Sequence, residues 1–386
     1  GEEAGWPPVA GVVAAGPEAA TFVGRVCSDS EGGKLNPQSV WLEGSRSSSG
    51  ACRARLDLSE CAEYALFPGQ VVAVRGVNLL GHTIRASRVL CGSPPPNAVP
   101  PSEREITPEP FNVITATGPF TCSDDLSFAP LDALLEQATS RRALALVLVG
   151  PFVEADHPAL AAAEVGYEDL FEQRVMLKVE AFLAAAAEAY PHAPPHVVLV
   201  PSPRDVLASP VYPQPPLPRR RSPEQIAPLL HLAPNPAAID VGGVRIAVGS
   251  LDALLMIGSA ELASAPQPGA PRPDRLLRLA SHVLQQRSFL PLLPPPADLP
   301  VDMAHNFVAG AIDTRPDILL LPSQLAPFAK VLPDAAGGAL CVNAGRLTRN
   351  AAGGNYATLS VHPRAQVDGA RTSDIAPRVA VEIAKI

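Results

Sequence analysis

The sequence predicts a mixed α/β protein: an N-terminal β-barrel of the OB type, then a larger α/β domain with two sheets. Three observations carry the prediction. Short alternating strand candidates fill the first 92 residues, a proline-rich stretch follows, and beyond Phe111 strands and helices alternate. A chain of 386 residues is long enough for two domains with separate cores.

The barrel strands are read at residues 20–27, 38–42, 52–58, 70–77 and 82–90, separated by the Gly, Ser and Asn clusters that mark turns. Five strands in so short a span suit a small closed barrel. Between them, Gly44-Ser45-Arg46-Ser47-Ser48-Ser49-Gly50 reads as a flexible connector. Residues 93–110 hold seven prolines and no apolar period, so they are expected to form a semi-rigid extended linker. The expected domains are therefore 1–92 and 111–386, with 93–110 as the linker.

From 111 to 117 a continuous apolar run ends at Gly118-Pro119, the mark of a buried strand. Residues 130–141 space Leu131, Leu134 and Leu135 as a helix does, with Pro130 suited to its first turn. A second buried strand is read at 144–149, a long amphipathic helix at 167–190 and a third strand at 197–200. This β-α-β-α-β order requires parallel strands with covering helices. Residues 206–236 read as irregular, because their prolines favour an extended surface path. Strands return at 244–249, 317–321 and 339–342, with a helix at 273–287, and alternating strands at 356–362 and 378–386 close the chain.

Composition narrows the function. The formal charge of −8 and a pI near 5.5 argue against a whole-protein nucleic-acid surface. The one clear basic cluster, Arg219-Arg220-Arg221, lies in a proline-rich loop and reads as solvated charge. Four lysines against many arginines, beside abundant Ala and Pro, point to biased coding DNA rather than to arginine chemistry. The six cysteines form no C-x-x-C pair and no Cys/His cluster of zinc spacing. No apolar run reaches the roughly 18 residues that a membrane span needs. A reduced, soluble, intracellular protein with no membrane partner is expected and, since residue 1 is Gly rather than Met, a piece of a longer chain.

The candidate site is defined by blanks. Strand ends are a common place for metal ligands in α/β domains, yet Thr117-Gly118-Pro119, Gly150-Pro151 and Asn343-Ala344-Gly345-Arg346 offer no carboxylate, histidine or cysteine. Pro201-Ser202-Pro203-Arg204-Asp205 has one carboxylate, and its Arg204-Asp205 reads as a local ion pair. A two-metal hydrolase needs bridging carboxylates completed by imidazoles. Its Asp-x-His, Gly-Asp, Asn-His and His-x-His signatures occur nowhere in the sequence. His192 and His196 are four apart, but Pro191, Pro194 and Pro195 forbid a helix there. His282 reads as a surface or satisfied interior residue, and Ser202 between two prolines as a turn residue. Phosphate-loop, dinucleotide and nucleophile-elbow motifs are absent too, so neither catalysis nor a cofactor is expected. In the barrel, Phe22, Trp41 and Phe67 with Arg25, Arg53, Arg55, Arg75, Arg85 and Arg88 have the residue types of a single-strand binder. Trp41 on an alternating strand suits packing better, so DNA is expected to bind at most weakly.

A resemblance rests on Leu66-Phe67-Pro68-Gly69-Gln70, Thr117-Gly118-Pro119-Phe120-Thr121, Val200-Pro201-Ser202-Pro203-Arg204-Asp205-Val206, Val211-Tyr212-Pro213-Gln214-Pro215-Pro216, Gln286-Arg287-Ser288 and Asn343-Ala344-Gly345-Arg346-Leu347-Thr348. In these stretches the chain resembles the accessory B subunits of the DNA polymerase alpha–primase complex. The resemblance implies an OB domain joined to a calcineurin-like metallophosphoesterase domain that has lost its metal ligands. The loops bearing Thr117, Gly118, Pro119, Gly150, Pro151, Pro201, Ser202, Arg204, Asp205, Asn343, Gly345 and Arg346 would then be degenerate active-site loops. It further implies a non-catalytic nuclear scaffold that binds the C-terminal region of the catalytic polymerase subunit. Primase subunits would be met indirectly, and the role would lie in initiating DNA replication. Two alternatives stay open: a divergent metallophosphoesterase using Asp124, Asp125, Asp205 or Asp252, and a single-stranded-DNA-binding barrel.

Overall fold

The computed structural model describes residues 6–29, 34–96, 109–162, 165–218, 222–264, 274–332, 338–363, 366–367, 370–371 and 376–386. Arg219-Arg220-Arg221, most of the 93–110 linker and the first residue of the expected 273–287 helix lie outside the described residues. The chain divides into two compact units, Gly1–Pro95 with Leu254–Asp298, and Pro96–Ala253 with Leu299–Ile386. These are not the expected borders. Residues 254–298, read from sequence as part of the second domain, belong with the barrel.

In the first unit, strands β1 (Ala20–Ser28), β2 (Val40–Glu43), β3 (Arg53–Asp57), β4 (Val71–Val77) and β5 (Thr83–Leu90) pair in the order β1-β2-β3-β5-β4, and β4 returns to β1. Within this ring β3 and β5 run parallel and the other pairs antiparallel, while the two-residue strand Val9–Ala10 adds parallel to β1; the closed ring leaves no long free edge. The inside is filled by every second residue, including Phe22, Val26, Leu42, Leu56, Val74 and Ile84. Gly24 is required where β1 meets β2, since a Cβ there would lie 2.6 Å from the Glu43 carbonyl oxygen. The Gly44–Gly50 segment is not a loose connector. It holds a short helical turn, Arg46–Ser49, with the Ser45 hydroxyl accepting from Ser48 N and Gly50 in the left-handed region at φ +58°.

Residues 254–298 join this unit through contacts about 200 positions apart in sequence, which no local pattern announces. Leu262–Ala263 pairs antiparallel with Ala65–Leu66. The helix Arg275–Gln285 buries Leu279, Ala280, Val283 and Leu284, and Asp274 caps it by accepting from Leu277 N at 3.1 Å. Just beyond its end, Gln286 acts as a surrogate strand: Oε1 accepts from Val71 N at 2.7 Å, while Nε2 donates to Val71 O and Cys91 O at 2.9 and 2.6 Å. Arg287 donates to the carbonyls of Ser93 and Pro94. The Gln286-Arg287 pair is thus a clasp on the barrel.

The second unit is a sandwich of two sheets. Strands β6 (Phe111–Thr117), β7 (Ala143–Val149), β8 (His196–Val200) and β9 (Leu230–Leu232) run parallel, followed on the β6 side by antiparallel β15 (Asn355–Val361) and β16 (Val379–Lys385). The other sheet orders β10 (Ala237–Val241), β11 (Val244–Val248), β12 (Ile318–Leu320), β14 (Ala339–Asn343) and β13 (Phe328–Leu332). Strands β10 and β13 went unread in the sequence because they are half-exposed edges: only Ala237 in β10, and Phe328 and Leu332 in β13, are buried. The helices Ala253–Ala260 and Met303–Ala309 were likewise missed, being short.

Two faces explain the continuous apolar strands. Val113, Val147, Val149, Val198 and Val200 meet Ile246, Val248, Ile318, Leu320 and Val342 between the sheets. Their neighbours Ile114, Ala116, Leu146 and Leu148 face outward, where Leu131, Leu134, Val175, Val179 and Leu183 cover them. The covering segments are the helix Ala129–Ser140 and the run Tyr167–Phe171, Glu172–Met176 and Leu177–Ala189, whose middle turn is π-helical. Both faces of β6, β7 and β8 are therefore largely buried, Thr115 and Thr117 of β6 included, so none of the three presents a regular exposed polar face.

Candidate functional site

Parallel strands all deliver their C-terminal ends to one edge of the second unit, and the candidate loops leave from that edge. The Gly118-Pro119 and Gly150-Pro151 peptide bonds are cis. A Cβ on Gly118 would lie 2.0 Å from the Pro151 carbonyl oxygen, and one on Gly150 would lie 2.2 Å from Asp205 Oδ2. Both glycines are thus needed for close approach of the first three loops. Thr117 is buried and anchors a fourth segment, its carbonyl accepting from Leu347 N at 2.7 Å.

Asp205 sits at the centre of this contact, 5% exposed. Its Oδ1 accepts from the backbone N–H groups of Phe152 and Val153, and Oδ2 from that of Ser202 at 2.9 Å. Burial pushes its carboxyl up to about 7, against the opposing pull of these donors and of Arg204. The expected Arg204-Asp205 ion pair does not form. Arg204 reaches instead across the loops to Glu154, Nη1 to Oε1 at 2.6 Å, because Asp205 turns inward to the amides. Ser202 is a turn residue, 2% exposed, its hydroxyl accepting from Arg204 N at 3.3 Å.

Asn343, fully buried at the end of β14, plays the corresponding part on the other sheet. Its Oδ1 accepts from Ser323 N and Gly345 N at 3.0 and 2.9 Å, and its Nδ2 donates to the carbonyls of Leu325 and Ala326. Gly345 has φ +80°, the left-handed conformation that suits glycine. Asp205 and Asn343 therefore hold loops together with their polar atoms turned to backbone.

Above them lies a cleft of about 410 Å³, bordered by Pro119, Thr121, Glu154, His157, Arg346 and Arg349 among others. Of the candidate residues, Pro119 and Arg346 line it, while Gly118, Gly150 and Asp205 form the loop packing behind. Glu154, His157 and Arg349 were missed by the sequence reading; the signal available was only their position just beyond a strand-end loop. His157 Nδ1 accepts from Ala159 N at 3.2 Å, which leaves its Nε2–H to donate to Cys122 O at 2.9 Å. The alternative carboxylates are engaged locally: Asp125 accepts from Ser127 N and from the Thr121 and Ser127 hydroxyls, and Asp252 accepts from Gln324 N. Among the described residues, no three His, Cys, Asp or Glu side chains gather as a metal site would require. His192 and His196 do not pair; His196 Nδ1 lies 3.0 Å from His231 Nε2 instead.

In the barrel, Phe22 and Phe67 are 1% and 0% exposed, so two of the three aromatics are core rather than stacking platforms. Arg53 is paired with Glu43 at 2.6 Å, and Arg85 lies 3.7 Å from Glu60. His282 is interior and satisfied, between Glu261 and Gln70.

A family model for the B subunits of DNA polymerases alpha and epsilon matches residues 113–330, and one for the OB domain of the DNA polymerase alpha B subunit matches residues 8–92. The chain belongs to the family of DNA polymerase alpha/epsilon B subunits. Among its relatives, the DNA polymerase alpha B subunit of Rattus norvegicus is 33% identical over 344 residues, covering 89% of this chain and 54% of that protein. Its Mus musculus counterpart is 34% identical over 358 residues, covering 92% and 57%. That of Schizosaccharomyces pombe is 29% identical over 386 aligned positions, covering 94% and 63%. The chain spans about half the length of the curated mammalian relatives it matches. Family membership accounts for an OB barrel followed by a two-sheet α/β unit. Among the described residues no helix is long and apolar enough to cross a membrane.

Proposed function

We propose that this chain is the accessory, non-catalytic subunit of a DNA polymerase alpha–primase complex. It binds the C-terminal region of the catalytic polymerase subunit, meets primase indirectly and supports initiation of replication in the nucleus. The observation that carries the reading is similarity to polymerase alpha B subunits across both units, together with strand-end loops whose polar groups are turned inward. Asp205 and Asn343 stand at such ends, and each uses its side chain to tie backbone rather than to face the cleft. A carboxylate committed to three amides supports a structural use of a site where a hydrolase needs open ligands.

Co-expression with the C-terminal region of a polymerase alpha catalytic subunit tests it: a stoichiometric complex is expected on size exclusion. Failure to co-purify, or turnover of a phosphodiester by the purified chain supplied with manganese, would replace this reading with the enzyme alternative or remove it.

A further inference from the structure

The cleft has a chemical bias that a scaffold does not require. Two of its hydroxyls are turned to protein acceptors: Thr121 Oγ1 donates toward Asp125, and Thr348 Oγ1 contacts the carbonyls of Pro119 and Thr121 at 3.0 Å. Of its charged groups, Glu154 is paired with Arg204, Oε1 to Nη1 at 2.6 Å. Arg346 and Arg349 have, among the described residues, no hydrogen-bond or ion-pair partner for their guanidinium groups. The Asn350 amide also borders the cleft. The unpaired charge left at the cleft is thus positive, in a protein with a net charge of −8.

Arg346 is half-buried, and burial with the nearby Arg204 disfavours its charge; Glu154 and Asp252 oppose this only in part, and Glu154 is already shared with Arg204. An anion in the cleft would supply the missing counter-charge. Two features favour a phosphate monoester over a carboxylate. Two guanidinium groups offer more N–H donors than the roughly four lone-pair sites of one carboxylate, whereas a phosphate monoester has three terminal oxygens and nearly two charges. The volume of about 410 Å³ also leaves room for what the phosphate is attached to.

We propose that the cleft of the two-sheet unit binds a phosphate monoester, its terminal oxygens held by Arg346 and Arg349. Binding leaves the ester intact, and no bond is made or broken.

Calorimetric titration of the purified chain at constant ionic strength tests this, with inorganic phosphate, a nucleoside 5′-monophosphate and succinate as separate probes. Saturable binding of both phosphates is expected, with succinate weaker. The tighter of the two phosphates tells whether the phosphate alone or its attached group supplies the affinity. Arg349→Gln, at an exposed position, should keep the thermal midpoint and weaken phosphate binding by about tenfold or more, as loss of a charge-assisted fork does. Arg346→Gln should do the same; if it unfolds the protein, Arg349→Gln alone decides. The proposal is overturned by absence of binding to the unmodified chain, by equal affinity of the Arg349→Gln variant, or by succinate binding as tightly as phosphate. None of these results depends on whether the catalytic polymerase chain is present, so this test and the co-expression test fail separately.

Discussion

Among the described residues, each unit holds a carboxylate withdrawn from solvent, and the two meet opposite fates. In the barrel unit, the Glu261 side chain is 4% exposed and bonded to Arg278 at 2.8 Å and to His282 at 3.2 Å. Burial alone would raise its pKa, but the hydrogen bonds from Arg278 and His282 overcome it and hold the group at about 2. In the two-sheet unit, Asp205 has backbone amides for partners, and burial prevails, raising it to about 7. The contrast separates two uses of a buried acid. Beside a fully charged partner it is an ion; among amide dipoles it is a knot whose value lies in the donors it satisfies.

The largest expected effect tests the knot. Asp205→Ala leaves the N–H groups of Phe152, Val153 and Ser202 buried without an acceptor, at about 1–3 kcal/mol each and less than additively. A loss of about 4 kcal/mol is expected in urea denaturation, on the scale of a strongly destabilising mutation. A loss below about 1 kcal/mol would mean that water or a neighbour replaces the carboxylate.

Glu261→Ala is expected to cost somewhat less, about 3 kcal/mol. It strands the Arg278 cation and the His282 ring, but Arg278, 27% exposed at its side chain, recovers some hydration. Restoring length without charge by Glu261→Gln should return part of that loss, since Gln can still accept from Arg278; no recovery would show that charge alone matters.

The smallest effect is in slope rather than midpoint. Glu261 has a folded pKa of about 2, below the 4.5 of the free group, so its contribution is present above 4.5 and fades as pH falls toward 2. Asp205 has a folded value of about 7, above 3.8, so its contribution is complete below 3.8 and fades as pH rises toward 7. Urea midpoints across that range should therefore lose their acid-side fall in Glu261→Gln and flatten between about pH 4 and 7 in Asp205→Asn. Identical profiles in both variants would erase the distinction drawn between the two acids.

Much of this architecture was legible beforehand. Alternation in β1 to β5 and the mostly apolar runs in β6 to β8 are local consequences of one-sided and two-sided burial, and local patterns survive in sequence. The emptiness of the strand ends could also be read, because missing residue types need no coordinates. Edge strands β10 and β13 were not legible, since a half-exposed strand has few apolar residues to reveal it.

What the sequence by itself determined is therefore the class of each part: a barrel, a two-sheet sandwich, and strand-end loops poor in ligands. Only the tertiary structure decided where residues 254–298 belong, that Gln286 completes a strand edge, and that Asp205 faces amides while Arg204 turns to Glu154. The physical reason is range. Periodicity is set by neighbours a few positions away, whereas the partner of a buried polar group is chosen by whichever unsatisfied atom the fold brings within about 3 Å.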